Sequence, residues 1–148
     1  MAEYEQAIKE IVVAVDKTID SIQNQALRRG YQAANVLTNT VKEVLRGQRS
    51  GRRYAKKGGG SYTASAPGEP PAVRTGALRV SFQRRCRGEP YGSDFIVYAI
   101  TESSLQVNGY LLGELLEKGT KKMAPRPFRE KTIEKALPKV EKIFQRPY

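Results

Sequence analysis

Residues 3–46 read EYEQAIKEIVVAVDKTIDSIQNQALRRGYQAANVLTNTVKEVLR, and their pattern organises the rest of the chain. Ile8, Val12, Val15, Ile19, Ile22 and Ala26 step by four, three, four, three and four. That heptad-like stripe predicts a helix that needs a partner surface along its length. Gly30 interrupts the pattern at a cost of about 1 kcal/mol. The stripe then resumes through Ala34, Leu37, Val41 and Val44. Unbroken, the helix would be roughly 65 Å long at about 1.5 Å per residue. A helix of that length implies packing against neighbouring subunits, or a break near Gly30. An ordinary amphipathic helix lying on its own sheet explains the stripe as well, and the two readings can hold for different halves.

Residues 46–72, RGQRSGRRYAKKGGGSYTASAPGEPPA, differ in kind. They are poor in aliphatics, and no acid occurs between Glu43 and Glu69. Gly58, Gly59 and Gly60 argue against regular structure, and Pro67, Pro70 and Pro71 favour an extended far end. The segment reads as a basic arm, with Arg46, Arg49, Arg52, Arg53, Lys56 and Lys57 as its candidate contact residues. Between residues 46 and 87 there are eleven basic residues and one acid, against a net charge of +11 for all 148 residues. The basicity is therefore local, as a surface facing a polyanion or an acidic protein requires. Tyr54 and Tyr62 add stacking surface for non-specific nucleic-acid contact. Docking on an acidic protein neighbour explains the same arm.

Beyond the arm, Leu78, Val80 and Phe82 alternate with Arg79, Ser81 and Gln83, which predicts a half-buried strand over about 77–86. A second strand is expected over about 94–101, with Gly88, Pro90 and Gly92 in the connection and a turn at Thr75-Gly76. Residues 105–118 are ambiguous: Leu111, Leu112, Leu115 and Leu116 favour a helix, while Gly109 and Gly113 oppose it. A last helix should begin near Pro127, with Ile133, Leu137, Val140 and Phe144 as its stripe and a kink or early end at Pro138. The expected fold is α+β: a long N-terminal helix, an extended basic loop, a small antiparallel sheet and a C-terminal helix. One domain over 1–148 suits this length, with helix in 3–46, the arm in 46–72, strands in 73–104 and helical segments in 105–146.

The residue inventory argues against catalysis. There is no histidine, which removes the usual base near neutral pH and the commonest zinc ligand. The one cysteine, Cys86, makes neither an internal disulfide nor a thiolate metal site. It suits synthesis in a reducing compartment and reads as a half-buried strand residue, although the neighbouring arginines would favour a thiolate. Asp16 and Asp20 share a helix face, as solvated carboxylates commonly do. The glycine triplet fails as a phosphate loop, because Lys56 and Lys57 precede it and no Lys precedes Ser61. Catalytic residues, metal ligands and cofactors are all expected to be none. The acidic N-terminus lacks a signal-peptide pattern, and no apolar run approaches the roughly 20 residues that span a bilayer; no membrane partner is expected.

Three stretches together resemble the small neck and tail-completion proteins, or head–tail joining proteins, of long-tailed double-stranded DNA bacteriophages. They are SGRRY at 50–54, ASAPGEPPAVRTGALRVS at 64–81 and LLEKGTKKMAPRPF at 115–128. Ser65, Pro67, Gly68, Pro70, Pro71, Thr75, Gly76 and Leu78 match the middle motif. Glu117, Gly119, Thr120, Arg126, Pro127 and Phe128 match the last. Lys118 stands where that family often has an aromatic residue. The resemblance implies a structural virion protein at the head–tail junction, assembled in the host cytoplasm as a homo-oligomeric ring of six or twelve copies. Its implied partners are connector or head-closure proteins on one side and a tail terminator or tail tube on the other, with genomic DNA passing through. A non-sequence-specific DNA-binding accessory protein is the main alternative. A nuclease is a weaker one, and it would need metal-dependent activity through Asp16 or Asp20.

Overall fold

The computed structural model describes residues 1–148 and shows an α+β architecture. Helix α1 spans Ala2–Arg46, 45 residues without a break. Gly30 is not a breaker: it is fully buried where a β-hairpin crosses the helix. A Cβ there would collide with Val97 and lie 2.6 Å from the Cys86 sulfur. The missing side chain lets the backbones approach, and this outweighs the weak helix propensity.

The 46–72 segment is partly regular, against expectation. Strands β1 (Arg53–Ala55) and β2 (Ser61–Thr63) pair antiparallel, with Tyr54 opposite Tyr62. Gly58, Gly59 and Gly60, all at positive φ, make the connection between them. The triplet is therefore the turn of a hairpin, a conformation that glycine adopts without steric cost.

The expected 77–86 strand is also corrected. Helix α2 occupies Ala77–Ser81, and strand β3 runs Phe82–Tyr91. Leu78 packs on the core from the short helix and Phe82 from the first position of β3, so an alternation that had suggested one strand is shared between two elements. Strand β4, Asp94–Ser103, pairs with β3 in an antiparallel register from Phe82↔Ser103 to Tyr91↔Asp94. Gly88 and Pro90 belong to β3 rather than to the connection, which is the two-residue Gly92-Ser93 turn. Gly88 is needed where Leu27 and the Phe95 ring close on the strand. Pro90 is tolerated because each strand of a two-stranded sheet is an edge.

The ambiguous 105–118 segment divides. Strands β5 (Gln106–Val107) and β6 (Tyr110–Leu111) flank an Asn108-Gly109 turn with both residues at positive φ, the favoured arrangement for a tight hairpin. Helix α3 follows at Leu112–Lys118. Helix α4 spans Arg129–Phe144, starting two residues after Pro127 and running through Pro138. Pro138 is exposed, where water can solvate the carbonyl its ring displaces.

The core is the junction of α1, α2, β3 and α4. Val41, Val44 and Leu45 of α1 meet Phe82 and Phe128. The two rings pack edge to face with centroids 5.9 Å apart. Ala33, Ala34 and Ala136 are buried small residues that line the helices' buried faces. The Thr38 hydroxyl donates to the Ala34 carbonyl and accepts from the Thr101 hydroxyl, both at 2.8 Å, which satisfies the polar atoms where α1 meets the β-hairpin. No helix is long and apolar enough to cross a membrane.

Candidate functional site

Three surfaces carry the residues singled out by the sequence. The first is the free half of α1. Residues 1–22 are all exposed, and the first fully buried position is Arg29. Ile8, Val12, Val15, Ile19 and Ile22 are 60, 51, 50, 46 and 43% exposed, so the stripe that needed a partner has none within the chain. Only 16 of 148 residues are buried, so an isolated copy has a small core. The second half of α1 lies on the β3–β4 hairpin and α4. The reading of an amphipathic helix on its own sheet holds for the second half, and the first half is left uncovered by the chain.

The second surface is the basic hairpin. Arg46, Arg52, Arg53, Lys56 and Lys57 are exposed. Tyr54 and Tyr62 stack at 5.7 Å, the Arg52 guanidinium lies 5.5 Å from the Tyr54 ring, and Arg53 Nε donates to Ser61 Oγ at 2.8 Å. The hairpin thus presents four cations beside a stacked tyrosine pair.

Arg49 does something else. Its guanidinium donates to the Val44 carbonyl at 2.7 Å and to the Pro71 carbonyl at 3.0 and 3.2 Å. It caps the C-terminus of α1 and ties the proline segment to it. Burial pulls its pKa down, partly offset by the Glu69 carboxylate nearby. Glu69 accepts from Ser50 Oγ, the Ala66 N–H and the Ser50 N–H, and these bonds hold its pKa at about 2. Arg49 and Glu69 therefore fix the root of the hairpin, and Arg49 is not free for a partner. Gly51 belongs to the same root: its N–H donates to the Ala64 carbonyl at 2.9 Å, and a Cβ would strike that carbonyl.

The third surface is built by the motif residues. Gly68 donates its N–H to the Pro125 carbonyl at 3.2 Å, joining the middle motif to the last. Thr75 Oγ1 accepts the Ala77 N–H at 3.3 Å, and Gly76 takes a positive φ to open α2. Glu117 reaches across to α4, accepting the N–H groups of Phe128 at 2.9 Å and Arg129 at 3.3 Å. A carboxylate there satisfies orphan donors and opposes the helix dipole. Gly119 has positive φ, with no room for a Cβ beside Pro125 and the Met123 carbonyl, and Thr120 bridges to Met123. Pro127 leads into Phe128, which is buried in the core.

Between these two motifs runs a groove of about 440 Å³, with Ser65, Pro71, Thr75, Gly76 and Leu78 in its lining. Its charged lining is Arg74, Arg79 and Arg126, with no carboxylate. Arg79 Nε and Arg126 Nη1 are buried there without an acceptor. Sequence reading placed Arg126 in a motif but missed Arg74 and Arg79 as parts of one groove, because only the tertiary fold brings 74–79 to 123–126.

Two further residues were missed or left open. Arg29 is buried in α1, donating to the Arg146 and Pro147 carbonyls at 2.6 Å each and lying 3.9 Å over the Tyr148 ring. It clamps the segment after α4. Cys86 is half-buried, donates weakly to the Leu27 carbonyl, and has its pKa raised by burial, which opposes the reactive-thiolate reading. Asp16 and Asp20 lie in the exposed arm, and no three His, Cys, Asp or Glu side chains gather anywhere in the structure. Comparison with protein-family models, with curated proteins and with solved structures finds no match to this chain.

Proposed function

We propose that this chain is a structural, non-catalytic subunit of the neck of a long-tailed double-stranded DNA phage. Copies would form a homo-oligomeric ring that completes the connector or the tail top and lets the genome pass. The observation that carries the reading is the bare half of α1: a 22-residue arm with an apolar stripe and nothing of its own to bury it against. Exposed stripes of this kind mark association surfaces, and one heterologous contact repeated by rotation closes a ring. The motif resemblance at 50–54, 64–81 and 115–128 supplies the place. The ordered, mutually bonded motifs support it, since they build a surface rather than a loop.

The test is imaging of purified particles from phage carrying the gene and from phage lacking it. A ring at the head–tail junction, and unjoined heads and tails without the gene, are the expected results. A protein found only outside particles would end the reading. A DNA-binding accessory role is the second reading, favoured by the stacked Tyr54–Tyr62 pair among Arg52, Arg53, Lys56 and Lys57. It requires salt-sensitive duplex binding by the free protein.

A further inference from the structure

The bare arm and the orphaned arginines fit each other. Within residues 1–22 there are five acids, Glu3, Glu5, Glu10, Asp16 and Asp20, and two bases, Lys9 and Lys17. The arm is thus an acidic extension on a strongly basic protein. Its stripe is broader than the heptad seam alone, because Tyr4 and Ile11 are also 75 and 63% exposed and add a third column beside it. A two-stranded coiled coil uses a narrow seam, whereas a stripe of this width suits a groove or a core. Asp16 lies four residues after Val12 and three before Ile19, and Glu5 lies three before Ile8, so both carboxylates border the stripe.

The groove between the motifs has the matching properties. Apolar side chains such as Leu45, Leu78, Leu112 and Leu116 line it, its only charges are three arginines, and two of their nitrogens are buried without an acceptor. Three arginines facing one groove with no carboxylate among them leave an unopposed positive field that favours an anionic partner. Of the two larger clefts, one of about 500 Å³ carries Glu102 and Glu114 beside Arg129, and one of about 480 Å³ sets Glu43, Glu69 and Glu134 against Arg49, Lys131 and Lys135; neither offers an acidic helix the unopposed positive charge of the groove. The arm cannot serve its own groove. α1 is continuous, and Val12 lies roughly 25 Å along it from the buried turn at Arg29, at about 1.5 Å per residue.

We infer that the arm of one copy docks, stripe down, in the 74–79/123–126 groove of the next, with carboxylates at its border accepting from Arg79 and Arg126. This deepens the ring reading above by naming both halves of its interface. The interface is heterologous, so the two halves can be broken separately. Sedimentation of the full chain measures this, with an arm variant, Val12→Asp with Val15→Asp, and a groove variant, Arg74→Glu with Arg79→Glu. All four positions lie outside the buried core, and circular dichroism checks that each variant keeps the fold.

The parent should self-associate, and each variant should weaken that association by at least about tenfold. Mixed in equal amounts, the two variants should form a one-to-one complex and nothing larger, because one intact arm and one intact groove remain. A parent that sediments only as a monomer would overturn the inference. So would a groove variant that assembles like the parent, which would mean arm-to-arm pairing, or folded variants that stay monomeric when mixed. Assembly of the pure protein and its place in particles are separate readouts, so either can fail without the other.

Discussion

Gly30→Ala tests the packing that turns α1 from a free helix into a scaffold. In an exposed helix the change would stabilise by about 1 kcal/mol, the difference in propensity. Here the new methyl group meets Val97 on β4 and lies 2.6 Å from the Cys86 sulfur on β3, both well inside contact distance. Neither neighbour yields easily: Val97 is β-branched and stiff at χ1, and both sit on a paired hairpin. Overpacking of this kind costs about 1–3 kcal/mol, and two contacts at once place it toward the upper end. Net of the propensity gain, a loss of roughly 1–2 kcal/mol is expected. Urea unfolding with an unchanged slope and a lowered midpoint would show it. Val97→Ala combined with Gly30→Ala should recover much of the loss, with a coupling energy on the order of 1 kcal/mol. A Gly30→Ala variant more stable than the parent would refute the reasoning, since the hairpin could not then lie on the helix at that point.

Four other outcomes follow from contacts already described. Glu117→Ala should lower stability by about 1 kcal/mol through loss of the α4 cap, and Glu117→Gln by less, read from urea midpoints. The Glu69 carboxylate has its pKa lowered from 4.5 to about 2, so its contribution is present above the ordinary carboxylate value and disappears as the pH falls toward 2. Amide exchange at Ser50 and Ala66 should accelerate over that range beyond the intrinsic rate, and Glu69→Gln should remove the pH dependence. Arg29→Ala should release residues 146–148 to proteolysis and reduce stability by roughly 2 kcal/mol, from the lost charged hydrogen bonds and ring contact. If the basic hairpin contacts duplex DNA, replacing Arg52, Arg53, Lys56 and Lys57 by Gln should flatten the logarithmic salt slope by up to about 3.6. An unchanged slope would remove the hairpin from any DNA contact.

The α+β order was legible because helix α1 announces itself by its apolar period and strand β4 by its run of β-branched and aromatic residues. What failed were features decided elsewhere in the chain. Gly30 reads locally as a flaw, and only the strand crossing it shows why it is there. Leu78, Val80 and Phe82 alternate like a strand, yet the positive φ of Gly76 starts a helical turn that delivers Leu78 to the core before Phe82 begins β3. Asn108-Gly109 was a sufficient hairpin signal, masked by the leucines that follow. Arg49 could have been recognised as a cap, since a cation just beyond a helix end commonly binds the last carbonyls. Nothing in the sequence signalled the groove, because Arg79 and Arg126 are 47 positions apart and the acceptors they lack are not local.

The continuity of α1 through Gly30 makes direction a matter of counting. Each residue turns the helix by about 100°, at 3.6 residues per turn. The azimuth of the arm's stripe is therefore set by the number of residues between it and the hairpin, with no loop to absorb an error. One residue inserted between Gln23 and Arg28 would swing the stripe by about 100° and advance it by about 1.5 Å. Seven would nearly restore the azimuth, within about 20°, while moving the arm outward by about 10.5 Å. The arm behaves as a shaft keyed to its hub, and a series of insertions would read out separately which angle and which reach a neighbouring copy requires.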